Sequence, residues 1–206
     1  MSKPHALLRV LLLDHADSFV FVLADQFARI GASVDVVRVP DTADAIAELV
    51  ARQHPDLVVL SPGPGHPSEA VGTMDWLRSR PVVPVLGICL GHQAIGLAVG
   101  ARIERGAAPM HGVASEIEVL DDPLFRDLPR QLQVARYHSL VVVDPPETLA
   151  VIAHTDGVVM ALRHRRLPWI GLQFHPESVL TPHGGPLLRA VLDEVTRQPR
   201  TEFSLP

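Results

Sequence analysis

Short apolar runs alternate with stretches of helical periodicity through the first half of the chain. Residues 7–13 are almost wholly apolar, as expected of a strand buried on both faces, and Ser18 can cap a helix that ends near Gly31. The same alternation then repeats up to Gly100. It predicts further strands at 33–39, 56–60 and 82–88, and further helices at 42–53, 70–80 and 90–99.

The pattern changes after Gly100 to alternating or β-branched runs, which are typical of antiparallel or mixed strands. Residues 169–174 predict another buried strand, and residues 185–197 predict an amphipathic closing helix. The whole pattern predicts an α/β fold, with an open, mostly parallel twisted sheet covered by helices on both faces. Antiparallel or mixed strands are expected to complete the same sheet in the C-terminal half, at 115–120, 131–135, 140–143, 149–153 and 158–163.

Composition agrees with one globular domain. The chain has 206 residues, of which 47% are hydrophobic, and its mean hydropathy is +0.21. It is therefore long enough and apolar enough to bury a substantial core. We expect a single domain over residues 1–206, with its core at about 6–197 and a frayed tail after Gln198.

Charge and hydropathy argue against membrane and nucleic-acid proteins. Arg9 interrupts the N-terminal apolar run, and Pro84 and Gly87 punctuate the run around Val85, so no stretch is long enough for a spanning helix. The N-terminal segment also lacks a small-residue cleavage site, and a cytoplasmic location is expected. The net charge is -5 and the sequence has no basic cluster that could bind a phosphate backbone, so nucleic acid is not expected as a partner.

Cys89 is the one cysteine of the chain, which excludes an internal disulfide and a thiolate zinc cluster. Its segment, residues 87–91 (GICLG), follows a predicted strand and opens a predicted helix, as in a nucleophile elbow with Cys in place of Ser. The helix N-terminus would favour the thiolate. These five residues fit a nucleophilic cysteine and a buried structural cysteine at a tight turn equally well. A second motif is needed to choose between the two interpretations.

His175 and Glu177 supply such a second site, where another predicted strand ends. A histidine there can accept the thiol proton, and a carboxylate can hold its tautomer. Taken alone, a histidine such as His175 is more often a capping or surface residue, because the chain has eleven histidines and most of them must be incidental. The loop at 60–65 (LSPGPG) leaves a third strand and could aim its amides at an anionic oxygen, although an ordinary Pro/Gly turn has the same composition.

Taken together, these motifs resemble the class I, triad-type glutamine amidotransferases, and most closely component II of anthranilate and aminodeoxychorismate synthases. The resemblance extends over nearly the whole chain. It rests on DHADSF at 14–19, LSPGPG at 60–65, PVLGICLGHQAI at 84–95, RYHSL at 136–140, QFHPES at 173–178 and the following residues to 182.

The resemblance implies a catalytic triad of Cys89, His175 and Glu177. It also implies that the subunit hydrolyses L-glutamine to glutamate and ammonia, and that a chorismate-utilising component I receives the ammonia within a heteromer. Neither a cofactor nor a metal is implied for this subunit, whereas component I is expected to need Mg²⁺. The implied glutamine contacts are Gly63, Pro64, Gly65, Gln93, Ser139 and Leu140, and the implied oxyanion hole is formed by the amides of Gly63 and Leu90.

The chain departs from the family pattern outside the triad. His15, Val20 and Val22 stand where relatives commonly have Asn, Thr and Asn, and Val113 replaces a lysine that follows His-Gly. These departures leave open how a partner activates the subunit.

Several readings stay open at this stage. One is a partner-independent cysteine hydrolase of the same fold, such as a γ-glutamyl hydrolase, and another is a non-catalytic scaffold subunit. A metal hydrolase fits less well, because the chain has no HExxH helix or cysteine pair. The product also stays open among anthranilate, 4-amino-4-deoxychorismate and 2-amino-2-deoxyisochorismate.

Overall fold

Eleven strands, five α-helices and two short 3-10 helices, Pro67–Glu69 and Pro123–Phe125, lie in the described part of the chain, residues 7–197 of a computed structural model. The strands are β1 Leu8–Asp14, β2 Ala32–Arg38, β3 Leu57–Leu60, β4 Val85–Ile88, β5 Arg102–Arg105, β6 Val113–Val119, β7 Gln131–Arg136, β8 Leu140–Val143, β9 Leu149–Thr155, β10 Val158–His164 and β11 Trp169–Leu172. The helices are α1 Val20–Arg29, α2 Ala43–Gln53, α3 Val71–Arg78, α4 Leu90–Ala98 and α5 Gly184–Arg197.

Nine of these strands form one sheet in the order β2-β1-β3-β4-β11-β10-β9-β6-β7. The first five are mutually parallel, and the remaining pairs are antiparallel. This confirms the predicted α/β fold class, with its parallel half and its antiparallel C-terminal extension. Parallel strands end at a common edge, so the carboxyl ends of β3, β4 and β11 lie side by side.

Strands β3, β4 and β11 at the centre of the sheet are buried on both faces, which explains the continuous apolar runs of the sequence. Strand β1 shows the same arrangement, because Val10 and Leu12 pack into one core while Leu11 and Leu13 pack into the other. The apolar stripes of α1 and α5 cover the first face through residues such as Phe27 and Leu188. Helices α2, α3 and α4 cover the second face.

The prediction that residues 140–143 belong to the main sheet is wrong. Strand β8 pairs instead with β5, a strand that the sequence pattern did not predict, in a separate two-stranded antiparallel sheet. The side chain of Val142 packs on α4, where a Cβ added to Gly96 would lie 3.1 Å from it. Burial against this helix therefore draws β8 away from the large sheet and places Leu140 beside α4.

The prediction that Ser18 caps the first helix is also wrong. Helix α1 follows Phe19, which makes no side-chain cap hydrogen bond. Carboxylates stabilise the preceding turn instead: Asp14 accepts the N–H of Asp17 at 3.0 Å, and Asp17 accepts the N–H of Phe19 at 3.0 Å.

Two further predictions concern the ends of the strands and of the chain. Strands β4 and β11 are shorter than predicted, since they begin at Val85 and end at Leu172 respectively. The tail after Gln198 lies outside the described residues. Within residues 7–197, none of the helices is long and apolar enough to cross a membrane.

Candidate active site

Cys89 lies where β4 passes into α4, next to the end of β11. Ile88 pairs with Leu172 across the parallel strands, and the Cys89 N–H donates to the Leu172 carbonyl at 2.8 Å. The backbone of Cys89 has φ +50° and ψ -97°, a conformation that residues other than glycine rarely adopt. This sharp turn places the sulfur at the carboxyl edge of the sheet and at the N-terminus of α4, where the helix dipole favours an anion.

Close backbone packing explains the two glycines that flank this turn. A Cβ at Gly87 would lie 2.4 Å from the backbone of Gly91, and a Cβ at Gly91 would lie 2.5 Å from the Leu60 carbonyl. The positive φ of this turn falls on Cys89 itself and on neither glycine.

His175 and Glu177 follow β11 and form a buried pair. The Nδ1 atom of His175 lies 2.6 Å from Oε1 of Glu177, and both residues are at most 5% exposed. The backbone of His175 is held on both sides, because its N–H donates to the Ala135 carbonyl and its own carbonyl accepts the Thr181 hydroxyl at 2.7 Å. That threonine also accepts the Ala135 N–H at 2.9 Å. The imidazole is therefore fixed both by a carboxylate and by strand β7.

Electrostatics favour a charged imidazole at this position. Burial alone would lower the pKa of His175, but the side chains of Cys89 and Glu177 outweigh it and raise that pKa to about 10. The Nε2 atom of His175 is the ring nitrogen left for the thiol, and it is buried without a hydrogen bond among the described residues. Sulfur and ring thus lie near each other without meeting hydrogen-bond geometry, as is common in unliganded active sites.

Asp17 adds a second carboxylate to this region. Burial raises the pKa of Asp17, which also lies close enough to His175 and Glu177 to interact electrostatically with both.

Tyr137 covers the imidazole of His175 with its ring. The ring centroids of Tyr137 and His175 are 5.0 Å apart at an interplanar angle of 71°, an edge-to-face contact. Phe19 packs on Tyr137 with its centroid 6.3 Å away. Neither ring has a role that the sequence pattern indicates, although Tyr137 is the tyrosine of RYHSL and Phe19 ends DHADSF.

The loop after β3 lies against the start of α4. A Cβ on Gly63 would be 2.6 Å from the His15 carbonyl and 2.9 Å from Cδ2 of Leu90, so only glycine allows this approach. The Leu90 N–H is the first of the helix and has no intrahelical acceptor. Gly63 and Leu90 are therefore neighbours beside Cys89, whereas Pro64 and Gly65 lie exposed further along the loop.

Gln93 and Leu140 meet on the other side of α4. The Nε2 atom of Gln93 donates to the Leu140 carbonyl at 3.0 Å, and Nδ1 of His138 lies 3.0 Å from the same oxygen. Ser139 is exposed, and its carbonyl accepts the Gly106 N–H at 2.9 Å. The structure thus brings Gln93 into contact with Leu140, whereas Ser139 contacts Gly106.

Gln173 is a site residue that the sequence analysis did not single out. Its side chain is fully buried, and its Nε2 atom lies 3.7 Å from the sulfur of Cys89. The sequence signal was its position as the first residue of QFHPES, directly after β11.

Three buried histidines surround this centre without taking part in the triad. Burial lowers the pKa of His15 to about 4 and that of His92 to about 3. Burial and the Arg136 guanidinium together lower the pKa of His138 to about 4. All three are therefore neutral near pH 7. The described residues include no group of three or more His, Cys, Asp or Glu side chains arranged to hold a metal ion.

Comparisons with known proteins show which family the chain resembles. The family model for class-I glutamine amidotransferases matches residues 11–195. The chain is 43% identical to anthranilate synthase component 2, pyocyanine specific, of Pseudomonas aeruginosa, over 90% of this chain and 93% of that protein. It is 47% identical to anthranilate synthase of Azospirillum brasilense over 91% of this chain, and 44% identical to aminodeoxychorismate synthase of Streptomyces griseus over 94%. This chain spans only 26% and 27% of the lengths of those two proteins.

A nucleophile elbow carrying cysteine, with a histidine and glutamate from the neighbouring strand end, thus occurs in a chain that the family model matches almost throughout. The chain belongs to the class I glutamine amidotransferases.

Proposed function

We propose that this chain is the glutamine-hydrolysing subunit of a chorismate-utilising synthase, with Cys89 as nucleophile, His175 as acid and base, and Glu177 as the residue that orients the imidazole. The observation that carries this proposal is the convergence of three buried side chains at one sheet edge, with His175 and Glu177 only 2.6 Å apart. Because burial around the pair excludes water, the interaction between its charges is stronger than it would be in solvent.

The first step forms a thioester. The Cys89 thiolate attacks the side-chain carbonyl carbon of glutamine, and the resulting oxyanion accepts hydrogen bonds from the amides of Leu90 and Gly63. When the C–N bond breaks, the His175 imidazolium gives its proton to the departing nitrogen, which leaves as ammonia. A γ-glutamyl thioester on Cys89 and a neutral His175 remain.

The second step hydrolyses that thioester. Neutral His175 takes a proton from water while the oxygen attacks the thioester carbonyl, and breakage of the C–S bond restores thiolate and imidazolium. Glutamate leaves and loses its new carboxyl proton to solvent. Glu177 keeps Nδ1 of His175 paired throughout, so that Nε2 carries out both proton transfers.

The glutamine side chain would lie between the 63–65 loop and α4. Gln93 uses its amide N–H groups on protein acceptors, which leaves its carbonyl oxygen to accept from the substrate. Ser139 and Leu140 would bound the same pocket from the β5–β8 sheet.

An exposed apolar rim around the site supports a protein partner. Val179, two residues after Glu177, is 96% exposed, and Phe19 and Val113 are 51% and 41% exposed. Such side chains near a catalytic centre are typical of a surface that another protein covers. Ammonia is mostly ammonium at neutral pH, so transfer through a covered interface keeps it nucleophilic for the synthase component. Any Mg²⁺ would belong to that component, and we expect the complex in the cytoplasm.

Reconstitution with the synthase component tests the proposal. Cys89→Ser is expected to abolish synthesis from glutamine while leaving synthesis from ammonium salts nearly intact. Loss with both nitrogen sources would mean that Cys89 is structural. Full glutaminase activity without any partner would instead favour a γ-glutamyl hydrolase, and absence of a covalent adduct with a glutamine-mimicking diazoketone in the complex would favour a scaffold. Identification of the aminated product decides between anthranilate and aminodeoxychorismate.

A further inference from the structure

A chain of side-chain amides connects the β5–β8 sheet to the nucleophile. The Leu140 carbonyl accepts from Nε2 of Gln93 at 3.0 Å, and the same Nε2 lies 3.2 Å from Oε1 of Gln173. The other end of the Gln173 amide, Nε2, lies 3.7 Å from the Cys89 sulfur. Gln93 is only 3% exposed and Gln173 is fully buried.

The backbone carbonyl at the start of this chain determines the direction of every amide in it. A carbonyl oxygen can only accept, so the end of Gln93 that faces Leu140 must be its NH₂ group. The group next to that NH₂ must then be the oxygen of Gln173. The NH₂ of Gln173 is consequently the end that faces sulfur, and an N–H donor stabilises a thiolate more than a thiol.

The backbone holds this donor rigidly. Gln173 directly follows β11, and its N–H donates to the Met160 carbonyl at 2.9 Å. The Cys89 N–H donates to Leu172, the residue just before it, at 2.8 Å. Donor and sulfur are thus attached to two neighbouring strand ends that are hydrogen-bonded to each other.

We propose that Gln173 is a positioning residue that holds the Cys89 thiolate by an N–H···S hydrogen bond. Gln93 and the Leu140 carbonyl orient the Gln173 amide for this role. This inference rests on the proposed function of Cys89 as nucleophile. Gln93 thereby serves the nucleophile as well as the glutamine pocket. A shift of the β5–β8 sheet would reach the sulfur through three hydrogen bonds.

Alkylation of the single cysteine tests this inference without requiring turnover. The rate of iodoacetamide modification is measured against pH by mass spectrometry in the wild type, Gln173→Met, Gln93→Met and the double variant. Gln131→Met, an exposed glutamine on β7, is the matched control. Methionine keeps the length of the side chain but cannot donate. Loss of one charge-assisted hydrogen bond predicts an upward shift of the midpoint by about one pH unit in Gln173→Met.

Coupling provides the sharper readout. Gln93→Met is expected to shift the midpoint in the same direction, and the double variant is expected to match Gln173→Met alone, because both substitutions remove the same hydrogen bond. Should Gln173→Met fail to fold, the Gln93→Met shift tests the inference by itself.

The results separate the inference from the proposed function. An unchanged midpoint in folded Gln173→Met, or an equal shift in Gln131→Met, would overturn the inference. A shift confined to the Gln173 and Gln93 variants would support it even if the wild-type complex did not hydrolyse glutamine, a result that would refute only the proposed function.

Discussion

Acidification should destabilise this protein more steeply than its carboxylates alone would. His15, His92 and His138 are buried, and burial lowers each pKa to about 4, 3 and 4 respectively. In the unfolded chain, a histidine pKa is about 6.5. Because the folded pKa values are depressed, the stabilisation is fully present above about pH 6.5 and is lost as the pH falls towards 4.

The magnitude follows from proton counting. At about pH 5, the unfolded chain holds nearly three more protons on these rings than the folded protein, which gives a slope of about 4 kcal/mol per pH unit. Between about pH 6.5 and 5 the three rings together remove about 5 kcal/mol of unfolding free energy. The raised pKa of His175 opposes this only weakly, since its contribution is already nearly complete below its unfolded pKa. The loss is comparable with the whole stability of a typical domain.

Urea denaturation followed by circular dichroism, at constant ionic strength between pH 7 and 5, measures this slope. His92→Met removes one of the three rings and should lower the slope by about 1.4 kcal/mol per pH unit. Ile95→Val, a buried substitution on the same helix, should cost about 1 kcal/mol equally at every pH. A wild-type slope of about 1.4 kcal/mol per pH unit or less, which corresponds to the uptake of one proton, would refute the reasoning. An unchanged slope in His92→Met would refute it as well.

Three further predictions concern the site and its rim. Gly63→Ala should push the loop away from the His15 carbonyl, so kcat should fall by about a hundredfold with a small change in melting temperature. Gly106→Ala is the control and should keep full activity, because its added Cβ would lie 3.4 Å from Val141. Glu177→Gln should remove the charge that supports the imidazolium, so kcat should fall at least tenfold while glutamine binding by calorimetry stays nearly constant; equal activity would contradict the assigned role. Val179→Glu should weaken binding of the synthase component by about tenfold in a pull-down titration without changing basal glutaminase activity, and Val82→Glu, at the opposite edge of the sheet, should not.

The parallel half of the fold could be predicted because its information is local. Buried strands appear as apolar runs and covering helices as periodic ones, and chemistry collects where such strands end. Cys89 and His175 were accordingly recognisable as residues that follow neighbouring strands. The elbow glycines were recognisable as well, although close packing rather than their own φ angles is the reason for them.

Contacts between distant segments could not be predicted in this way. Strand β5 has a single apolar residue, Ile103, and its existence depends on pairing with β8 about forty residues later. The contact between Tyr137 and His175 depends likewise on how two loops pack. The hydrogen bond from Gln173 to Cys89 could not be predicted either, because it exists only since β11 lies next to β4 in the sheet.

The left-handed backbone of Cys89 distinguishes the demands of folding from those of chemistry. Glycine adopts this conformation without strain, so a chain optimised only for thermal endurance would carry glycine at position 89. Cys89→Gly should therefore be an inactive protein that melts no lower than the wild type despite losing a buried side chain. Cys89, the proposed nucleophile, is therefore tolerated by the fold rather than required by it.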